Sequence, residues 1–141
     1  MEQLQVMEKE LNIQQMAQAT GLSAHTLRYY ERAGLMIEHV GRDEGNGHRS
    51  YNSQHVAWIE FLKRLRATGM PIRDIHRYTE LVRQGEQTMP ERLQLLKQHQ
   101  SRVEEHLKEV ERHLEVIRFK VASYEQLHTQ PQTGSRGENL P

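Results

Sequence analysis

Within eight residues the chain places Ser23, His25, Thr26, Arg28, Tyr29 and Tyr30, a set of hydroxyls, one imidazole, one guanidinium and two phenols. Hydrogen-bond donors and acceptors of these kinds near the start of a helix can reach base edges in a DNA groove, while flanking basic and hydroxyl groups hold phosphates. Arg28 can make two parallel hydrogen bonds to guanine or to a phosphate, and the exposed member of the tyrosine pair can donate its hydroxyl to a phosphate oxygen. The other tyrosine is expected to pack inward. Taken singly, an arginine beside a glutamate, such as Arg28, is as readily a solvated partner in a weak ion pair.

Such groups need a rigid mount, and the flanking sequence supplies one. Asn12 caps a short helix whose apolar side carries Ile13, Met16 and Ala17 and which closes at Gly21. Ser23 caps a second helix from about Ala24 to Ala33, with Leu27 and Tyr30 directed inward and Gly34 ending it. Two short helices joined by Gly21-Leu22-Ser23 make a helix-turn-helix. Leu35, Met36, Ile37 and Val40, a Gly-rich connection from Gly41 to Gly47, and Arg49-Ser50-Tyr51 then read as a two-stranded hairpin, a wing. Asn52 or Ser53 caps a third helix bearing Val56, Ile59, Leu62 and Leu65, with Trp58 and Phe61 widening its buried side, and ending near Gly69. Pro71 suits the first turn of a fourth helix containing Ile72, Ile75 and Leu81 and closed by Gly85.

Thr88 and Glu91 have the spacing of a capping box for a fifth helix. From there a strict heptad appears, with Leu93, Gln100, Leu107, Leu114, Val121 and His128 at a, and Leu96, Val103, Val110, Ile117 and Tyr124 at d. Five heptads in register signal a coiled coil. A helix from Glu91 to His128 is about 57 Å long, too long to hide its stripe against a domain of this size, so a second copy is its natural partner. Leu93, Leu96, Val103, Leu107, Val110, Leu114, Ile117 and Val121 are the expected dimer contacts, and spacing alone leaves parallel and antiparallel pairing open. The organisation expected is a flexible leader over 1–10, a winged helix-turn-helix over 11–85, a dimerisation helix over 88–128 and a disordered tail over 129–141. The fold class is mainly α with a small β-hairpin.

Bulk properties agree with this reading. A hydrophobic fraction of 35% over 141 residues is lean for a self-contained globule. The net charge is zero, yet residues 11–85 hold ten Lys or Arg against seven Asp or Glu, whereas 86–141 hold eight against nine. The basic surplus lies in the front half, where DNA would be met. Cysteine is absent, which removes disulfides, thiolate metal sites and cysteine redox switches. No apolar run suits a signal peptide or membrane span, so a cytoplasmic protein without membrane contact is expected. No phosphate-cradling loop follows a strand and no nucleophile has an adjacent histidine motif, so catalysis is not expected.

In detail, Thr26-Leu27-Arg28-Tyr29-Tyr30-Glu31, Ala33-Gly34-Leu35, Gly47-His48-Arg49-Ser50-Tyr51 and Arg66-Ala67-Thr68-Gly69-Met70-Pro71-Ile72 resemble, in this order, the MerR family of transcriptional regulators. The resemblance implies an antiparallel coiled-coil homodimer on a pseudo-palindromic promoter element, which family members bend and untwist so that RNA polymerase can engage it. Carried over by position, it implies DNA contacts from Arg28, Tyr29 and Tyr30, from Arg49 and Tyr51 of the wing, and from Arg66. Tyr51 reads equally well as a core anchor for the wing. His25 and His48 depart from the residues many relatives carry there, Arg and Tyr respectively.

Relatives that sense metals or oxidants use cysteines near the end of the dimer helix, and drug-binding relatives carry a large C-terminal domain. Neither feature is in this sequence, and no cofactor or metal is expected. His99, His106 and His113 fall at successive g positions. A metal-bridged or pH-sensitive seam is one reading. A solvated flank is the favoured one, because edge positions of coiled coils are usually polar. An excisionase-like protein that bends DNA without an effector is the alternative function.

Overall fold

The computed structural model describes residues 10–37, 40–42 and 44–129. The expected leader and tail therefore lie, apart from one residue each, outside the described residues. In chain order the elements are α1 (Ile13–Thr20), α2 (Ala24–Arg32), β1 (Gly41–Arg42), β2 (Arg49–Ser50), α3 (Ser53–Ala67), α4 (Ile72–Gln84), a 3₁₀ turn (Glu86–Thr88) and α5 (Met89–Thr129).

Each short helix starts on the cap its sequence carries. Asn12 Oδ1 accepts from the Gln15 amide and the Gln15 side chain accepts from the Asn12 amide, both at 2.8 Å, closing a capping box on α1. Gly21, at φ 76°, ends α1 in a left-handed conformation that only glycine adopts without strain. Asn52 and His55 form the same reciprocal cap on α3, with His55 Nδ1 accepting from the Asn52 amide at 3.0 Å. His55 is thereby buried and polar in a place hydrophobic periodicity does not flag. Pro71 is the N-cap of α4, one residue earlier than its expected place in the first turn.

One core joins these elements. Met16, Leu27, Tyr30, Leu35, Met36, Val40, Tyr51, Ile59, Leu62, Leu65, Met70 and Ile75 are buried together. Trp58 stacks on Tyr78 at 5.8 Å and donates its indole N–H to the Leu35 carbonyl at 2.7 Å, pinning the chain that leaves α2. Arg83 reaches the same loop from α4, donating to the carbonyls of Gly34 and Met36. The wing is shorter than a free-standing hairpin: β1 and β2 pair antiparallel over only Gly41↔Ser50 and Arg42↔Arg49, and Tyr51 adds an isolated bridge to Leu11.

By contacts the chain divides into two compact units, one ending at Gln100 and the other starting at Ser101. The first three turns of α5 thus cluster with the front unit, whereas the sequence reading started the dimerisation helix as a separate segment near residue 88. Leu96 and its neighbour Leu95, both partly buried, pack against the front core. His99, expected on a solvated flank, is buried, and its Nε2 meets the Thr68 hydroxyl at 2.8 Å. That hydroxyl donates back to the carbonyl of Arg64, which calls for the histidine Nε2 to carry the proton. The expected Thr88–Glu91 capping box is absent. Thr88 donates to the Leu81 and Gly85 carbonyls and accepts from Arg92, while Glu91 pairs with Arg77 at 2.9 Å.

In the second unit α5 continues with its heptad side chains exposed, including Leu107, Val110, Leu114, Ile117, Val121 and Tyr124. Val103 is half-buried. His106 and His113 are exposed, as a solvated flank requires, and His106 approaches Glu109 at 3.8 Å.

Candidate nucleic-acid interface

The outer side of α2 is built by its cap and its period. Ser23 Oγ accepts from the Thr26 amide at 3.0 Å and donates to Thr26 Oγ1 at 3.1 Å, so the first turn is closed by side chains that also face solvent. With Leu27 and Tyr30 turned into the core, the 3.6-residue repeat leaves His25, Arg28, Tyr29 and Arg32 exposed on the other side. These residues form one strip.

The tyrosine pair separates as the period demands. Tyr29 is 39% exposed and Tyr30 only 7%, with their rings 6.2 Å apart in an edge-on arrangement. Tyr30 therefore packs its ring into the core, the inward member of the pair that the sequence called for, and Tyr29 is the exposed one. Tyr51, at 2% exposure, is also in the core, the anchor of the two readings open from sequence. Its ring meets His55 edge-on at 5.8 Å, and its hydroxyl is buried without a hydrogen-bond partner among the described residues. Burial pushes both phenols above their usual value. The nearby Glu31 raises Tyr51 further, against the opposing pull of Arg49, Arg28 and Arg42.

These influences locate a charge cluster at the junction of α2 and the wing. Asn12, Ile13, Gln14, Arg28, Arg42, Gly47, His48 and Arg49 line a crevice of about 420 Å³ there. The start of α1, the flank of α2 and both wing strands thus meet at one basic concavity. Arg49 is not free within it: its Nε donates to Glu31 Oε1 at 2.5 Å. Arg42 is exposed in the same crevice and had no motif to single it out; its only sequence signal was alternation across a short hairpin. Arg66 is exposed in the last turn of α3, close enough to Tyr30 to oppose the rise of its phenol. Among the described residues no group of three or more His, Asp or Glu could hold a metal ion, and no helix is long and apolar enough to cross a membrane.

A small α-helical domain with a capped second helix, a short wing and a basic crevice between them defines a winged helix-turn-helix DNA-binding protein. Its family is equally clear: residues 11–81 match the MerR HTH family regulatory protein family and residues 56–118 the MerR DNA-binding family, and the chain belongs to the MerR family of transcriptional regulators. An uncharacterised HTH-type transcriptional regulator of Haemophilus influenzae is 36% identical over 110 residues, covering 78% of this chain and 80% of the relative. The HTH-type transcriptional regulator AdhR of Bacillus subtilis is 39% identical over 93 residues, covering 66% and 65%. Among solved structures, HiNmlR, a MerR family regulator lacking the sensor domain and bound to promoter DNA, is similar with a TM-score of 0.76 at 34% identity. It covers 84% of this chain and 92% of that one. A MerR family regulator from Listeria monocytogenes has the same TM-score at 33% identity, covering 82% and 86%. This chain is accordingly a DNA-binding transcriptional regulator, and the excisionase-like alternative is not favoured.

Proposed function

We propose that the protein binds a pseudo-palindromic promoter element as a homodimer joined through an antiparallel coiled coil, and distorts that element so that RNA polymerase can engage it. The single observation that carries the DNA-binding part is the basic crevice where α2 and the wing converge. It supports α2 entering the major groove by its exposed strip, with Ser23, His25 and Thr26 at the base edges, Arg28 and Tyr29 on bases or backbone, and Arg49 and Arg66 toward phosphates. Arg42 joins this set. The promoter-bound relative HiNmlR, which lacks a sensor domain, supports the same mode for a chain of comparable extent.

Dimerisation rests on the exposed row Leu107, Val110, Leu114, Ile117 and Val121, with Leu93, Leu96 and Val103 at the same heptad positions earlier in α5. Apolar side chains at a and d over several turns of one helix call for a facing helix. Two half-sites are then read by two α2 helices, and palindromy follows from two-fold symmetry. The test is an electrophoretic shift with the promoter region of the protein's own gene. The expected result is a salt-sensitive complex that disappears when either half of the palindrome is scrambled. Binding indifferent to that scrambling would reject the proposal.

A further inference from the structure

Glu31 is a carboxylate in the middle of the surface assigned to a polyanion. It belongs to α2 and lies near Arg28, Arg42 and Arg49, all of which bear on the Tyr51 hydroxyl. On charge alone it should repel phosphate and cost affinity. Its side chain and that of Arg49 are only 23% and 22% exposed, and they are joined at 2.5 Å across 18 residues of sequence. A pair shielded to this degree is stronger than a solvent-exposed one, and the hydrogen bond is charge-assisted at both ends.

The wing explains the need for such a bond. Two paired residues per strand are too few to hold a hairpin by themselves. Arg42 and Arg49 are direct cross-strand partners, so their side chains leave on the same face, and like charges in that position destabilise the pairing. On its other side β2 is held through the Leu11–Tyr51 bridge, with amide-to-carbonyl distances of 2.7 and 2.8 Å. Without Glu31 the Arg42–Arg49 face has no counter-charge from the recognition helix.

Resting on the regulator reading above, we infer that Glu31 is a positioning residue for DNA recognition. It neutralises Arg49, allows two arginines to face each other in the wing, and ties wing and α2 into one body, so that Arg42 and Arg28 are presented to phosphate together. The electrostatic and positioning roles predict opposite signs for Glu31→Ala. Removing a mere repulsive charge tightens DNA binding; removing the tie weakens sequence-specific binding.

The experiment compares wild-type, Glu31→Ala, Arg49→Ala and the double variant on two duplexes of equal length, the promoter region of the protein's own gene and a random sequence. Glu31→Ala is expected to bind the promoter about tenfold more weakly, the scale of one charge-assisted hydrogen bond. Its random-duplex affinity should hold or rise. The effects of the two single substitutions should be non-additive in the double variant. The salt dependence of Glu31→Ala should be at least as steep as that of the wild type, because Arg49 is released, whereas Arg42→Ala lowers the slope by about 0.9 for each phosphate the arginine had neutralised. In the free protein, heteronuclear NOE values of the Arg42 and Arg49 amides should fall in Glu31→Ala while its melting curve stays cooperative. Undiminished promoter preference in Glu31→Ala, additive effects or an unchanged wing NOE would each overturn the inference while leaving the regulator reading intact. Wild-type protein that does not prefer its own promoter over the random duplex would overturn both.

Discussion

At the scale of single residues, the α2 surface divides into side chains that build the helix and side chains proposed to meet DNA. Ser23 is assigned both roles, and its hydroxyl closes the first turn. Ser23→Ala should therefore cost about 1 kcal/mol of stability, read by denaturant melting, in addition to any decrease in operator binding. Arg28 closes no turn and caps no helix, so Arg28→Ala should leave the melting curve unchanged. It should weaken operator binding by about 1–3 kcal/mol if it reads a base, with relaxed specificity at that position. The buried phenols set a pH limit. Tyr30, Tyr51 and Tyr78 all have folded-state values raised above 10.0, chiefly by burial. The folded state thus holds their protons more tightly than the unfolded chain does. The stabilisation this represents is fully present below pH 10 and is lost as pH climbs from there through the raised values. The expected outcome is a melting temperature that falls above about pH 10 together with a rise in phenolate absorbance. Titration of all three at the usual value in the folded protein would refute this.

Among the elements, the first three turns of α5 have changed allegiance. Leu95 and Leu96 enter the front core and His99 bonds to Thr68 at the end of α3, two residues beyond Arg66. The start of α5 is in this way part of the unit that carries the proposed DNA-facing residues. Replacing His99 by Ala removes a buried hydrogen-bonded ring and should destabilise the front unit by about 1–3 kcal/mol. The same change at exposed His106 or His113 should be silent in thermal melting. Heptad spacing could not separate these three histidines, because it records position around one helix and is blind to which turns lie against another element.

For the molecule as a whole, the proposed assembly rests on the exposed heptad residues. Replacing Val110 and Leu114 by Asp should abolish the dimer in sedimentation while leaving the front unit folded, since neither residue belongs to its core. Operator affinity should fall once two-site attachment is gone. A double variant that remained dimeric would place the contact elsewhere on the helix, where Val116 and Phe119 are also exposed.

The order of elements, the caps of the first three helices and the heptad were readable along the chain. Asn12, Ser23, Asn52, Gly21 and Gly85 act through neighbours a few residues away, and a helical period is a local property. Membership of the family was legible for the same reason, in motifs whose spacing is short. What tertiary structure decided lies in pairings distant in sequence. It chose which tyrosine of two is buried, made Tyr51 an anchor, brought Arg42 into the crevice, drew Leu96 and His99 into the front core, and set Glu31 against Arg49. Each depends on the approach of separate elements, and burial and ion pairing act between surfaces that meet only in the folded chain.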